Sequence, residues 1–396
     1  TPVVLIHGPR QCGKTTLARG LIASDGPAYS YFSFDDAVTL DAANSDPVGF
    51  IADLPERTIL DEVQRAPHLF ATIKAAVDER RVPGRFILTG SANILLLPKL
   101  SDSLAGRMEI LRLHPLAQCE IAGLKPKFLD QLLSGSFKAK KVPRLGPELA
   151  DRIANGGFPA AIVRSTPRRR QIWYRDYIET LISRDVRDMA KIASIDIMPR
   201  LMALAASQTA RLANLSELAD PFQQSRTTIR DYVALLERIF LLEHLPPWHS
   251  NRLSRLIKSP KLHLGDTGVA CSMLGLDAAS LRADRKVLGQ LLETFVYQEL
   301  RRMASWHPSD LRFHHFRDKD GVEVDIVIES GTTKVAGVEV KASATVTAAD
   351  FQGLRKLKEA TGARFASGIV LYDGDTCIGF GKSLFAVPLR LLCEPE

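Results

Sequence analysis

Thr1 to Thr15 leave the chain little choice about how its fold begins. Val3-Val-Leu-Ile6 is a continuous apolar run rich in β-branched residues, the pattern of a strand buried on both faces of a parallel sheet. Gly8-Pro-Arg-Gln-Cys-Gly-Lys-Thr15 follows at once and fits G-x-x-x-x-G-K-[ST], with Thr16-Leu-Ala18 opening a helix. Strand, glycine-rich loop and helix in that order make a phosphate cradle. Gly8 and Gly13 let the backbone curl until its N–H groups point inward. Lys14 is then placed for the β- and γ-phosphates, and the Thr15 hydroxyl for Mg²⁺. Pro9, Arg10, Gln11, Cys12 and Thr16 complete the predicted contact with ATP.

At 396 residues the chain exceeds what one hydrophobic core supports, and 45% hydrophobic with 24% charged residues is the balance of a folded globular protein. The net charge of +7 permits a nucleic-acid partner without requiring one. Five cysteines, scattered and without C-x-x-C spacing, make neither a disulfide framework nor a zinc site, which predicts a reducing, cytoplasmic setting. No apolar run approaches the roughly 20 residues of a membrane helix, so no membrane partner is expected. The chain starts almost inside its first strand with no leader in view, which predicts that further residues precede Thr1.

Tyr31-Phe-Ser-Phe34 reads as a second strand, and Thr58-Ile-Leu60 runs into Asp61-Glu62, a Walker B pattern. Asp61 is predicted to hold Mg²⁺ together with Thr15, and Glu62 to orient the attacking water. Arg85-Phe-Ile-Leu-Thr89 is a further strand. Thr89, Ser91 and Asn93 beyond it compete for the role of γ-phosphate sensor, with Ser91 counted among the nucleotide contacts. Arg107, ahead of the strand Glu109-Ile-Leu-Arg-Leu113, is a candidate arginine finger for a neighbour's site, which implies a homo-oligomer. The catalytic set is therefore Lys14, Glu62 and Arg107.

Taken together, Gly8 to Thr15, Leu60-Asp-Glu-Val-Gln-Arg65, Leu88-Thr-Gly-Ser91 and Leu104-Ala-Gly-Arg107 resemble the AAA+-type ATPases of bacteria and archaea that carry an uncharacterised C-terminal region. The resemblance continues through Asn155-Gly-Gly-Phe-Pro159 and Lys261-Leu-His-Leu-Gly-Asp266. It implies an ATP-hydrolysing module joined to domains like those of DNA-processing proteins.

Lys125 to Pro147 reads as a connector or exposed hairpin, and Arg164 to Arg170 as a basic patch at a helix start. Leu215-Ser-Glu-Leu-Ala219, the turn Pro221-Phe-Gln-Gln-Ser225 and a helix from Arg226 to Phe240 read as helix-turn-helix. Ile229, Tyr232, Val233, Leu236 and Ile239 would face its core. Arg226, Thr227 and Arg230 would then point outward, where a recognition helix meets DNA. The strands Leu241–Leu245 and Lys261–Leu264 could form a wing, with Asn251, Arg252, Arg255 and Lys258 between them; Arg252 and Arg255 join the predicted DNA contacts.

Towards the C-terminus, a helix from Gln290 to Met303 carries Glu293. A hairpin of Val322–Ile328 and Val335–Lys341 places Asp325, Glu339 and Lys341 on one face by period-2 alternation. This D…E-x-K pattern after a helical Glu resembles the PD-(D/E)xK nuclease core. That resemblance implies a Mg²⁺ or Mn²⁺ site made by Glu293, Asp325, Glu339 and Lys341. The expected architecture is α/β: an AAA+-type parallel sheet over residues 1–125, a helical connector over 126–205, a winged helix over 206–280 and a nuclease-like domain over 281–396. The expected activity is Mg²⁺-dependent ATP hydrolysis coupled to DNA binding or processing. Two rivals remain open: a metal-dependent endonuclease regulated by ATP, and a nucleotide-switched binding protein without turnover.

Overall fold

The structure, a computed structural model, describes residues 1–22, 28–90, 104–125, 127–187, 195–249 and 259–394. The chain divides into two compact units, Thr1–Pro115 with Arg238–Phe240, and Leu116–Glu237 with Leu241–Glu396. No helix among the described residues is long and apolar enough to cross a membrane.

In the first unit five strands, β1 (Val3–His7), β2 (Ser30–Ser33), β3 (Thr58–Asp61), β4 (Phe86–Gly90) and β5 (Met108–Arg112), form one sheet in the order β2-β3-β4-β1-β5. Every neighbouring pair is parallel. The continuous apolar runs follow from this, because both faces are covered. Val3, Leu5, Leu60 and Leu88 pack against Leu69, Phe70, Ile73 and Val77 of the helix Leu69–Glu79. Ile6, Ile59 and Ile87 meet Ala18 on the other face. Each such side chain contributes about 1.5–3 kcal/mol of burial. Parallel strands also end at one edge. The loop after β1, the end of β3 and the end of β4 therefore meet there, where open α/β sheets bind ligands.

The second unit holds a seven-stranded mixed sheet. Its strands are β6 (Lys140–Lys141), β10 (Leu311–Arg317), β11 (Glu323–Ser330), β12 (Lys334–Lys341), β13 (Phe365–Tyr372), β14 (Thr376–Gly379) and β15 (Leu384–Pro388), in the order β10-β11-β12-β13-β15-β14-β6. The helix Gln352–Thr361 buries Leu354 and Leu357 against Val324, Val335 and Val370. A smaller antiparallel sheet has β7 (Arg211–Leu212), β9 (Lys261–Leu264) and β8 (Leu242–Leu245) in that order. The helices Leu215–Ala219 and Arg226–Arg238 lie between β7 and β8 in sequence, and Ile229, Tyr232, Val233 and Leu236 are buried as their spacing predicts. Ser225 caps the second helix, its Oγ accepting from Thr228 N at 3.0 Å.

The stretch read as a connector is ordered structure. The helix Phe128–Ser134 buries Phe128, Leu129, Leu132 and Leu133, and β6 pairs with β14. Its Lys, Ser and Gly content suggested a loop, but an open sheet edge recruits a short strand whatever its composition. Gly157 shows why the Gly-Gly pair of 155–159 is needed. Its N–H donates to Asp266 Oδ2 at 2.8 Å, and a Cβ there would lie 2.5 Å from both Arg302 Nη1 and the Leu116 carbonyl oxygen.

Candidate functional site

The glycine-rich loop leaves β1 at His7 and enters the helix Lys14–Gly20 at Gly13. Gly8 cannot be replaced without a shift, since a Cβ would come within 2.1 Å of the Leu113 carbonyl oxygen. Gln11 and Gly13 take left-handed φ values of 59° and 105°, which wrap the loop around an open centre. Lys14 is 7% exposed, and its Nζ donates to the carbonyls of Gly8 at 3.1 Å and Pro9 at 2.8 Å. The lysine is bonded to dipoles, and among the described residues no carboxylate pairs with it. Cys12 is buried with its thiol towards Leu113 O, so its side chain is turned away from a ligand and only its backbone can serve one.

Asp61, at the end of β3, receives three hydroxyls. Thr15 Oγ1 donates to Oδ2 at 3.1 Å, Tyr31 OH to the same oxygen at 2.5 Å, and Thr89 Oγ1 to Oδ1. Thr15 and Asp61 are hard oxygen donors side by side, the set a nucleotide-bound Mg²⁺ requires. Thr89 also accepts from the Glu62 backbone N–H at 3.3 Å, joining β4 to the Walker B residues. Of the three sensor candidates, Thr89 is thus built into this site, while Ser91 and Asn93 lie outside the described residues. Glu62 takes a left-handed φ of 56°, and Gln64 Nε2 donates to its carboxylate. Arg107 is paired within its own unit, Nε and Nη2 reaching the two Asp78 oxygens at 2.6 and 2.8 Å. A finger role would first have to break that fork.

Tyr31, Gln64 and His7 escaped the sequence reading. Tyr31 sits among phenylalanines and reads as core; burial, then its bond to Asp61, pushes its phenol above the usual range. His7 is lowered to about 4 by burial, then by the charges of Arg112 and Lys14. Only its place at the end of β1, against the loop, could have drawn notice.

In the second unit Glu293, Asp325, Glu339 and Lys341 do converge. Asp325 Oδ2 accepts from Val340 N at 2.9 Å, which ties β11 to β12, and Lys341 Nζ reaches Glu339 Oε1 at 2.8 Å. A fifth residue joins them. Lys261 of β9 places Nζ 2.7 Å from Glu293 Oε1, 3.2 Å from Asp325 Oδ1 and 3.9 Å from Glu323 Oε2. An ammonium already stands between the carboxylates a dication would need. No cluster of His, Cys, Asp and Glu arranged to hold a metal ion occurs among the described residues. Burial alone would lower the Lys261 amine, but the charges of Asp325 and Glu293 raise it well above its ordinary range. Burial, then the charge of Asp325, pushes both Glu293 and Glu339 up to about 8.

Arg226, Thr227 and Arg230 are exposed at the start of their helix. Arg252 and Arg255, with Asn251 and Lys258, lie outside the described residues.

A family model described as an AAA domain matches residues 1–122. Residues 1–122 are thus similar to AAA domains. Beyond the AAA-type domain, two models described only as domains of unknown function match residues 146–280 and 288–392. Two uncharacterized proteins, from Mycobacterium bovis and Mycobacterium tuberculosis, are each 29% identical over 391 residues, covering 98% of this chain and 80% of theirs. The Walker-type ATPase of Pyrococcus abyssi superposes with a TM-score of 0.40 at 14% identity, over 69% of this chain and 91% of that one. The RuvB Holliday junction branch migration motor of Thermotoga maritima reaches 0.28 at 17% identity, over 62% and 82%. Likeness at these scores carries no argument about this chain.

Proposed function

We propose that the AAA-type domain is a Mg²⁺-dependent ATPase whose turnover is coupled to DNA bound by the second unit. The observation that carries the first half is the contact of Thr15 with Asp61 at 3.1 Å beside a lysine held by the Gly8 and Pro9 carbonyls. Lys14 exchanges those carbonyls for phosphate oxygens. Thr15 and Asp61 would hold a Mg²⁺, which would supply positive charge against the phosphates. Tyr31 and Thr89 keep the Asp61 carboxylate fixed by donating to it. Glu62, released from Gln64, orients and polarises the attacking water.

The DNA half is supported by the net charge of +7 and by the exposed Arg226, Thr227 and Arg230 at the start of a capped helix beside a three-stranded sheet, as a winged helix would present them. The seven-stranded sheet with its D…E-x-K hairpin is read as a PD-(D/E)xK-like fold serving as a platform, with no cleavage assigned to it.

Steady-state ATP hydrolysis with and without single- and double-stranded DNA tests both halves. Glu62→Gln should bind nucleotide yet lose turnover by on the order of 10²-fold; turnover at the unmutated rate would end the Walker B assignment. DNA should stimulate hydrolysis, and Arg226→Ala with Arg230→Ala should remove the stimulation. A DNA-independent rate together with no DNA retention would leave an uncoupled ATPase.

A further inference from the structure

The carboxylates of the second unit come from three elements, and the lysine among them from a fourth. Glu293 projects from the helix Arg285–Ala304, Asp325 from β11, Glu339 from β12 and Lys261 from β9 of the smaller sheet. Only 4% of the Lys261 side chain is exposed. A lysine pays for such burial only with close opposite charge, since an ammonium stripped of water is otherwise costly. Its geometry is that of a coordinated cation: two carboxylate oxygens from different elements at 2.7 and 3.2 Å, and a third at 3.9 Å.

We propose that Lys261 is a built-in cation that occupies the place a divalent ion would need, so that this acid pocket holds no metal while the β9 lysine is seated. A dication bound by Glu293 and Asp325 would share oxygens with the ammonium and lie within a few ångströms of it, and like charges that close in a buried site repel strongly. Two further oxygens are already engaged. Asp325 Oδ2 is engaged by Val340 N, and Glu339 Oε1 by Lys341. Glu339 Oε2 is buried and has no hydrogen-bond partner among the described residues, an oxygen that a second cation could satisfy. A pocket with a tethered cation and one spare buried oxygen has the charge pattern of a metal site with its metal replaced. The plug belongs to the strand pair β8–β9 that follows the Arg226–Arg238 helix. Any rearrangement of that sheet therefore acts directly on the pocket. This inference is independent of the ATPase reading.

Mn²⁺ binding to the full chain is the test, read by electron paramagnetic resonance and by melting temperature. It is done without nucleotide and in the Lys14→Ala background, so that the P-loop contributes no metal. The chain with Lys261 intact should bind no Mn²⁺ that depends on Asp325. Lys261→Met should gain a site at least about tenfold tighter, its melting temperature rising with Mn²⁺ concentration. Asp325→Asn added to Lys261→Met should abolish the gain. Should Lys261→Met fail to fold, Lys261→Met with Glu293→Gln removes one carboxylate and leaves Asp325 and Glu339 as ligands. Asp325-dependent Mn²⁺ binding with Lys261 in place would overturn the proposal. So would a folded Lys261→Met protein, or the folded double variant, that binds no Mn²⁺.

Discussion

Lys14 and Lys261 are both buried lysines gripped by oxygen, 7% and 3% exposed, and they differ in what grips them. Lys14 is bonded to the carbonyls of Gly8 and Pro9, whereas Lys261 is bonded to the carboxylates of Glu293 and Asp325. Carbonyl dipoles hold an ammonium without cancelling its charge, so the first pocket remains attractive to an anion. Carboxylates cancel it, and charge-assisted bonds are roughly twice as strong as neutral ones. One site is poised for a ligand and the other is internally filled. A buried lysine thus reads as function or as structure according to the charge of its partners.

The sharpest way to break the comparison is to remove each lysine in turn. Lys14→Ala should lower kcat/KM for ATP by on the order of 10²–10³, the usual cost of losing one preorganised donor to developing charge. Because its partners are carbonyls at the loop mouth, folding should hardly change. Hydrolysis within about threefold of the unmutated rate would remove the phosphate cradle as the site of chemistry.

Lys261→Ala should do the reverse and act on stability. It strands the Asp325 carboxylate without its counter-charge and Glu293 without its hydrogen-bond partner, a defect that costs about 3–5 kcal/mol when a buried pair is broken. Trp173, Trp248 and Trp306 all lie in the second unit, so tryptophan fluorescence in urea follows that unit alone. A loss below about 1 kcal/mol would mean that the pocket tolerates its negative charge, and the contrast with Lys14 would fail.

A smaller effect separates the two units by pH. Glu293 and Glu339 keep their protons up to about 8 in the folded state, whereas the unfolded chain releases them near the ordinary 4.5. The folded state then binds more protons, so stability is lost as pH rises through that window. His263 and His315, lowered mainly by burial to about 3 and about 4, act in the opposite sense below 6.5. The clean interval for the second unit is therefore 6.5 to 8, where the tryptophan-reported urea midpoint should fall and Glu293→Gln should flatten it. In the first unit His7, lowered to about 4, loses its contribution as pH falls from 6.5. A second-unit midpoint that stays level from 6.5 to 8 would show that these carboxyls are ionised in the folded protein.

The P-loop and Asp61-Glu62 were legible because their chemistry is written in contiguous residues. Glycine spacing, a β-branched run and a strand that ends in acids are local signals, and a parallel sheet converts them directly into a shared edge. Period-2 alternation likewise put Asp325, Glu339 and Lys341 on one face before any tertiary contact was known. What alternation could not decide was which cation would meet them. Lys261 is 32 residues from Glu293 and 64 from Asp325, in a strand whose pattern says only that it is buried. Tyr31 reaches Asp61 across 30 residues, and Arg107 finds Asp78 across 29. Bonds of that span have no periodic signature, because they are set by strand order and by how elements pack. The sequence by itself determined the strand, glycine-rich loop and helix of the first unit and which residues share a strand face. Only the tertiary structure decided that the acid pocket already holds its cation, since a counter-charge acts by distance in space and not by spacing along the chain.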